Sequence, residues 1–289
     1  MNGSNPSLLV SICVPVYNGE EYLRSAMLSA IGQTYRPLEI VVSDDKSSDR
    51  SIAIIEEVST KTDIPVKILS HEPAGIGANW NNCIRNSSGR YVKFLFQDDL
   101  LRPECVKEMV QLAEQDSDIG LVFSERQVLY DSSDPYHTAW MQRHGNLQLG
   151  WQPMNEINHG DELLGSPNLL KYSLNKIGEP TTVLIRKSVF DKIGYFNETL
   201  KQILDVEFYY RVMNEFKVGY ISRELAAFRL HVNQTSSINR TSGAVNETLA
   251  LYKFLRYSDL FKKLHVSVRF YLFVRFSKAF KLYKKLVQS

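Results

Sequence analysis

Short apolar stretches alternate with helical stretches through the first part of the chain, and this alternation most constrains the fold. The apolar runs rich in β-branched or aromatic residues cover residues 8–16, 38–43, 66–69, 91–96 and 119–123. Strands that are apolar throughout and separated by helices are typical of a mainly parallel sheet covered on both faces. The sequence therefore predicts an α/β fold, in which right-handed crossovers bring the strand-to-helix loops to one edge of the sheet.

Two of these strands end on a pair of aspartates. Asp44 and Asp45 follow the second strand, and Asp98 and Asp99 follow the fourth. Adjacent carboxylates at the end of a buried strand cost free energy unless a cation or hydrogen-bond donors compensate them. Capping of the next helix accounts for one aspartate of each pair, but poorly for both. Because ligands bind at the carboxyl ends of strands in open α/β sheets, the pairs predict a site for a ligand that carries a metal and polar groups.

The composition fits a folded protein with one large domain. Its 289 residues are 44% hydrophobic and 23% charged, and the net charge of +2 gives no argument for nucleic acid as a partner. No apolar run approaches the roughly 20 residues of a membrane-spanning helix, and the N-terminus lacks a signal-peptide pattern. Cys13, Cys83 and Cys105 have no metal-ligand spacing. They indicate reduced core residues and a cytoplasmic protein.

The alternation breaks after residue 125 and later resumes. Residues 129–170 contain tryptophan, histidine, glycine and proline without clear periodicity, so we expect a long loop that is functional or mobile. The pattern then predicts a strand at residues 181–185, a helix at 203–215, and two strands at 218–221 and 226–230.

Five segments, in this order along the chain, resemble the motifs of family 2 glycosyltransferases with the GT-A fold. They lie at residues 15–18, 43–49, 75–81, 97–99 and 205–211. The resemblance implies a mostly parallel central sheet flanked by helices, and we expect the rest of the chain to form a C-terminal helical appendage. It implies inverting transfer of a sugar from a nucleotide-diphosphate sugar, UDP- or dTDP-linked, to a hydroxyl of a glycan or lipid-linked acceptor. The context that it implies is bacterial surface polysaccharide synthesis.

The resemblance covers roughly residues 8–235, and in this part it assigns the donor side of the site. The GT-A domain is expected over residues 1–240 and the helical extension over residues 241–289. Asp99 is the expected ligand of Mg²⁺ or Mn²⁺, which would stabilise the diphosphate leaving group, and Asp98 is expected to position the ribose or sugar. Asp45 is expected to accept a hydrogen bond from the base. Asp44 would stabilise the loop, or the two could exchange roles.

The resemblance gives five further residues a place near the donor or in the loops that hold it. They are Pro15, Tyr17, Asn18, Asn79 and Asn81. On the acceptor side, Asp205 matches the general base that removes the acceptor hydroxyl proton, although an aspartate there could also be a helix cap. Glu207 and Arg211 are expected to form an i,i+4 pair. His231 could approach the metal or diphosphate, or could be structural.

The chain departs from the family pattern at three positions. Gln97 stands where the acidic metal motif often begins with Asp, Lys46 where Gly is frequent, and Leu204 where a second acidic residue often precedes the base. These departures leave open an alternative, a catalytically degenerate module that binds nucleotide sugars. The intact aspartates favour the enzyme. A nucleotidyltransferase would need a glycine-rich loop after the first strand, which the sequence lacks.

The C-terminal segment combines aromatic and basic residues. Residues 266–276 have four aromatic and two basic side chains, and four lysines follow, Lys278, Lys281, Lys284 and Lys285. A helix of this composition can lie at a membrane surface, with its rings in the interface and its lysines near anionic lipid. It can equally pack on the catalytic domain with a solvated basic face. Both interpretations stay open.

Overall fold

The computed structural model describes residues 8–151, 153–231, 234 and 247–277. The strands are β1 Val10–Val16, β2 Leu38–Asp44, β3 Val66–Ser70, β4 Tyr91–Phe94, β5 Leu100–Leu101, β6 Ile119–Leu129, β7 Ile157–Asn158, β8 Val183–Arg186 and β9 Lys217–Arg229. The helices are α1 Leu23–Ile31, α2 Ser51–Ser59, α3 Ile76–Asn86, α4 Cys105–Ala113, α5 Pro135–His144, α6 Gly160–Leu164, α7 Ser188–Ile193, α8 Leu204–Glu215, α9 Thr248–Tyr257 and α10 Val266–Arg275. Pro180–Thr182 and Asp259–Lys262 form short 3₁₀ helices.

The described strands form one nine-stranded sheet in the order β3-β2-β1-β4-β8-β6-β9-β5, with β7 beside β9. Strands β1 to β4 all run parallel, which brings Val16, Asp44 and Ser70 side by side at one edge. Strand β8 runs antiparallel between β4 and β6, and β9 runs parallel to β6. The predicted α/β sheet flanked by helices is confirmed, and the reversal of β8 makes the second half of the sheet mixed.

Buried side chains form a core on each face of the sheet. In β1 the residues Val10, Ile12, Val14 and Val16 join the side covered by α1, α2 and α4. Cys13 points the other way, toward the side covered by α3, α7 and α8. Alternate residues of a strand face opposite sides of the sheet, so an uninterrupted apolar strand can fill both cores. All three cysteines are buried and free, as expected for core residues.

Two predicted elements differ from the structure. The segment 129–170 is not one irregular loop, because it contains α5, β7 and α6. Helix α5 begins with Pro135 after the capping residue Asp134, and its Trp140 stacks on Phe228 of β9 at 5.7 Å between ring centroids. The two strands predicted at 218–221 and 226–230 are one strand, β9, whose pairing with β6 shifts register around Glu125. Tertiary packing, which local periodicity does not report, sets both features.

The C-terminal helices pack into the core of the sheet. Leu251 and Leu255 of α9 and Val268 and Leu272 of α10 are buried in the same cluster as α8. The division at residue 240 stays a prediction, and residues 241–246 lie outside the described ranges, as do the four lysines from Lys278 onward. In the part of the chain that the structure describes, every helix falls short of the length and apolarity needed to cross a bilayer.

Candidate active site

The loops that follow β1 and β2 are joined by hydrogen bonds at the edge of the sheet. Asn18 has a left-handed backbone (φ 47°), and its Oδ1 accepts a hydrogen bond from the N–H of Ser48 at 2.8 Å. Asparagine tolerates this conformation better than most residues. Lys46 also has a left-handed backbone (φ 62°), and its Nζ lies 2.7 Å from Glu72 Oε1. The lysine therefore forms the turn for which the family often uses glycine.

The first aspartate pair has one member in the loop and one with a free acceptor. Asp44 accepts hydrogen bonds from both the N–H and the hydroxyl of Ser47, at 3.0 and 2.5 Å. Asp45 Oδ1 is buried without a hydrogen-bond partner among the described residues, 3.6 Å from His71 Nδ1. Burial raises the pKa of Asp45. A buried carboxylate oxygen that lacks a donor is costly, and a ligand N–H could supply that donor.

His71 belongs to this part of the site and was not predicted from the sequence. Its Nε2 lies 3.2 Å from Asn79 Oδ1, while Asn79 Nδ2 donates to the carbonyl of Val16 at the end of β1. Asn79 therefore links the first strand to His71, and His71 faces Asp45. The signal was available, because His71 follows β3 directly, much as the Asp44 and Asp45 pair stands at the end of β2.

Three other predicted donor-side residues lie in different surroundings. Asn81 is buried, and its side-chain amide donates to the carbonyl of Phe196 and accepts from the N–H of the same residue, at 2.9 and 3.1 Å. Those bonds hold α3 to the loop that follows α7. Pro15 is buried in β1 beside Ser43 of β2. Tyr17 lies at the end of β1 with 56% of its surface exposed.

Gln97 connects the second aspartate pair to the β1 loop. Its Nε2 donates to the carbonyl of Tyr17 at 3.1 Å, and its Oε1 accepts from the Tyr17 N–H at 2.9 Å. Gly19 leaves room for this side chain, since a Cβ there would lie 2.5 Å from Gln97 Oε1. A carboxylate could accept the N–H bond but could not donate to the carbonyl. Gln97 therefore has a structural role that does not depend on metal binding.

The two aspartates that follow Gln97 have opposite environments. Asp98 is partly exposed, and its Oδ2 lies 3.0 Å from His231 Nε2. Asp99 is 1% exposed; its Oδ2 accepts from the Thr181 hydroxyl at 2.6 Å and its Oδ1 from the Arg229 N–H at 3.0 Å. Burial raises the pKa of Asp99 well above its usual value. Of the pair, Asp98 has the carboxylate that a ligand at the surface could reach.

Strand β9 places His231 and Arg229 beside these aspartates. Arg229 Nε donates to the carbonyl of Asp98 at 3.1 Å, and its guanidinium lies 4.5 Å from the ring centroid of Tyr22. The Tyr22 ring also lies 5.1 Å from the ring of His231. In the described ranges, no three His, Cys, Asp or Glu side chains are arranged to hold a metal ion. One carboxylate and one imidazole remain, a pair that suits Mn²⁺ when a diphosphate supplies other oxygens.

Asp205 lies in the first turn of α8 and is 8% exposed. Its Oδ1 accepts from the N–H of Val206 at 2.8 Å and its Oδ2 from Asn175 Nδ2 at 2.9 Å. Burial raises the pKa of Asp205 to about 7, and the negative charge of Glu179 adds to the increase. Ile203 occupies the capping position of this helix. A carboxyl whose pKa lies near neutral pH is well suited to accept a proton during catalysis.

The neighbouring charged pair on α8 is structural. Arg211 Nε lies 2.8 Å from Glu207 Oε1, and Arg211 Nη2 lies 3.0 Å from Glu207 Oε2. Arg211 Nη1 also donates to the carbonyl of Ile193, at 2.6 Å. The predicted i,i+4 pair is confirmed, and it fixes α8 against the end of α7.

The sequence is similar to glycosyltransferases along most of its length. The model of the family described as Glycosyl transferase family 2 matches residues 11–194. An uncharacterized protein of Mycobacterium tuberculosis is 32% identical over 222 residues, which cover 76% of this chain and 67% of that protein. An uncharacterized glycosyltransferase of Rickettsia typhi is 29% identical over 269 residues, 91% of this chain and 75% of the relative.

Solved structures show the same fold at lower identity. The complex of S. aureus TarS with UDP-GlcNAc has a TM-score of 0.65 and 19% identity, covering 93% of this chain and 74% of that one. The mannosyltransferase PcManGT from Pyrobaculum calidifontis, in complex with GDP-Man and Mn²⁺, has a TM-score of 0.64 and 14% identity, covering 95% and 71%. The chain is therefore a glycosyltransferase that belongs to family 2 and has the GT-A fold.

Proposed function

We propose that the protein transfers a sugar, with inversion, from a nucleotide-diphosphate sugar to a hydroxyl of a glycan or lipid-linked acceptor. The observation that carries this proposal is the buried Asp205 carboxyl, whose pKa is raised to about 7. Direct attack by an acceptor hydroxyl needs one base of this kind, and transfer with inversion follows from a single in-line displacement. The bond from the anomeric carbon to the diphosphate breaks as the acceptor oxygen bonds to that carbon, and Asp205 takes the hydroxyl proton.

The donor would bind with its base at the ends of β1, β2 and β3. Asp45 Oδ1 would accept an N–H of the base, which favours UDP or dTDP because uracil and thymine offer an imide N–H. His71 faces this carboxylate, and Asn79 contacts both His71 and the Val16 carbonyl at the end of β1. The TarS and PcManGT structures were solved with UDP-GlcNAc and GDP-Man, which supports a nucleotide sugar as donor.

We place Mg²⁺ or Mn²⁺ on Asp98 and His231, and not on Asp99 as the family pattern had led us to expect. Both oxygens of Asp99 already accept hydrogen bonds from Thr181 and Arg229 in a buried setting. Asp98 and His231 are partly exposed and lie together. A divalent ion held there would supply Lewis-acid stabilisation of the leaving diphosphate. Asp99 would position the Asp98 backbone and the end of β9.

The acceptor would approach from the side of α5 and α8. We propose that it is part of a bacterial surface polysaccharide or its lipid-linked precursor, and that the enzyme works in the cytoplasm against the membrane. The location at the membrane is supported by an exposed apolar face on α10, where Val266, Phe270 and Phe273 are 63%, 68% and 58% exposed. They recur at i, i+4 and i+7, and so share one face of the helix. Rings on such a face can enter a membrane interface.

A thermal-shift panel tests the donor and the metal together. The full chain is heated with UDP, dTDP, GDP, UDP-glucose, UDP-GlcNAc, GDP-mannose and dTDP-glucose, each with and without Mn²⁺. We expect a uracil or thymine diphosphate to raise the melting temperature only when Mn²⁺ is present, and Asp98→Asn to remove that metal-dependent part. Stabilisation by none of these compounds contradicts a nucleotide-sugar enzyme. Stabilisation without any nucleoside diphosphate release supports the degenerate module instead.

A further inference from the structure

One segment of the chain, residues 175–182, contacts two parts of the site. These are the proposed general base, Asp205, and the aspartates that follow β4. At its start, Asn175 Nδ2 donates to Asp205 Oδ2 and to the carbonyl of Gly178, each at 2.9 Å. Asn175 Oδ1 accepts from the N–H of Gly178 at 2.8 Å, which closes the turn on itself. The same amide therefore holds the proposed base and the residue directly before Glu179.

At its other end the turn is fixed to the aspartates that follow β4. The Thr181 hydroxyl donates to Asp99 Oδ2 at 2.6 Å and accepts from the N–H of Phe96 at 3.2 Å. The Thr181 carbonyl accepts from Nζ of Lys93, a lysine fully buried in β4 that also donates to the Val183 carbonyl. Glu179 thus lies on a short segment whose two ends are hydrogen-bonded, one to the proposed general base Asp205 and the other to Asp99.

Arg126 holds the side chain of Glu179 in place. Arg126 Nε lies 2.7 Å from Glu179 Oε2, with side-chain exposures of 4% and 20%. The guanidinium lies 5.7 Å from the ring centroid of Trp140 and 5.8 Å from that of Phe228. A buried arginine packed beside two stacked rings has little freedom to follow a moving partner. The carboxylate is therefore fixed, but it retains an exposed part.

We propose that Glu179 binds a hydroxyl of the reacting sugar. This inference rests on the proposed function, since the sugar must lie between the diphosphate at Asp98 and the acceptor oxygen at Asp205. A fixed, partly exposed carboxylate in that gap can accept hydrogen bonds from sugar hydroxyls. Its negative charge also lies where positive charge develops at the anomeric carbon in an oxocarbenium-like transition state. Glu179 forms no covalent bond and exchanges no proton.

The negative charge of Glu179 also affects the pKa of the proposed general base, Asp205. Glu179 contributes to the raised pKa of Asp205 after the larger effect of burial, and it acts on Asp99 in the same direction. Tyr209 is another titratable group near Asp205, and burial raises its own pKa well above the usual value. Removal of the Glu179 charge should therefore move the base pKa downward. This electrostatic effect is expected whatever Glu179 binds, so kcat on the plateau above the acid limb is the measurement that reports binding of the sugar.

The experiment compares Glu179→Gln and Glu179→Asp with the wild type. Nucleoside diphosphate release is followed with UDP-glucose, UDP-GlcNAc, GDP-mannose and dTDP-glucose in the presence of Mn²⁺, with water as acceptor, from pH 5 to 9. We expect Glu179→Gln to lower kcat by roughly tenfold or more. We also expect it to move the acid limb of the profile to lower pH and to leave the thermal shift caused by the nucleoside diphosphate alone unchanged. Glu179→Asp should keep the wild-type position of the acid limb.

Glu125→Gln is the matched control, because Glu125 adjoins Arg126 but its Oε1 accepts from the hydroxyl of Tyr220, away from Asp205. An unchanged kcat on the plateau above the acid limb in Glu179→Gln overturns the inference while the transferase stands. The same holds if activity falls only as far as the melting temperature does. Release by no wild-type sample contradicts the proposed function, and the inference with it.

Discussion

Gln97 makes two hydrogen bonds to the backbone of Tyr17 that an aspartate at this position could not make together. Its amide donates to the carbonyl and accepts from the N–H of the same residue. These hydrogen bonds link the end of β1 to the segment after β4. They therefore explain why the chain has Gln97 where the acidic motif often has Asp. This departure does not by itself argue that the site has lost its chemistry, because the carboxylate beside His231 is that of Asp98.

We expect Gln97→Glu to lower the free energy of unfolding by about 1 kcal/mol, since a carboxylate oxygen would face the Tyr17 carbonyl. The same variant should weaken the thermal shift caused by UDP, because the Tyr17 loop borders the proposed base site. Urea unfolding and thermal shift measure the two effects. Gln115→Glu, at an exposed position after α4, makes the same charge change as a control. Equal effects of the two variants would contradict the assigned role of Gln97.

The stability of the fold should report the titration of Asp205. Its pKa is raised to about 7 in the folded chain, above the usual value of about 3.9 expected when unfolded. The folded state therefore binds this proton more tightly, and ionisation costs stability as the pH rises from about 4 to about 7.

Asp205→Asn has no such proton to lose. The difference in unfolding free energy, variant minus wild type, should increase by about 2 to 3 kcal/mol between pH 5 and pH 8. Urea titrations of both proteins at the two pH values give this difference, and other titrating groups cancel in it. A difference that stays constant, or decreases, would show that Asp205 is already ionised at pH 5.

At the scale of elements, the sequence predicted the half of the site that follows parallel strands. Asp45, Asp98 and the Asn18 loop were found because each comes after an apolar run, and parallel strands bring such ends together. Glu179 and Thr181 were missed because they precede their strand. Strand β8 is antiparallel to β4, so its beginning lies at the same edge. Strand direction is set by pairing partners, and no local pattern in the sequence reports it.

The sequence also did not predict which face of α10 is exposed. It showed only that the segment is aromatic and basic. In the structure Val268 and Leu272 face the core, while Phe270 and Phe273 face outward. The two interpretations of this helix are therefore compatible, because it packs on the domain and still presents rings on the opposite side.

We expect the full chain to float with vesicles that contain anionic phosphatidylglycerol, and to remain below with vesicles of phosphatidylcholine alone. Phe270→Ser combined with Phe273→Ser should reduce flotation severalfold, because the rings supply the apolar contact. Leu28→Ser on α1, where Leu28 is 43% exposed, is the control for loss of an exposed apolar side chain. Equal flotation of the double variant and the wild type would contradict a membrane role for this face.

At the scale of the whole molecule, the described C-terminal helices share a core with the helix that carries the proposed base, Asp205. Leu272 of α10 is fully buried in the cluster that contains Val206 and Phe208 of α8, on either side of Glu207. The helix that carries Asp205 is therefore supported from the far end of the chain. The sequence predicted an appendage, because amphipathic spacing alone does not show which surface a helix will cover.

Leu272→Ala should lower the free energy of unfolding by about 2 to 4 kcal/mol, as expected for a large-to-small change in a packed core. Unfolding should remain a single transition that moves to lower urea, and UDP should move it upward again. Phe270→Ala, on the exposed face of the same helix, should change stability by less than about 0.5 kcal/mol. A separate transition for the C-terminal helices, with the rest unchanged, would show that they form an independent unit.

The central claim is that one edge of this sheet binds a nucleotide sugar and that Asp205 activates the attacking hydroxyl. The most direct measurement is nucleoside diphosphate release by the wild type and Asp205→Asn, with donor binding measured by thermal shift on the same samples. The account predicts that both proteins bind the donor with Mn²⁺ and that release by the variant falls by roughly 10²-fold or more. Equal release by the two proteins would contradict it.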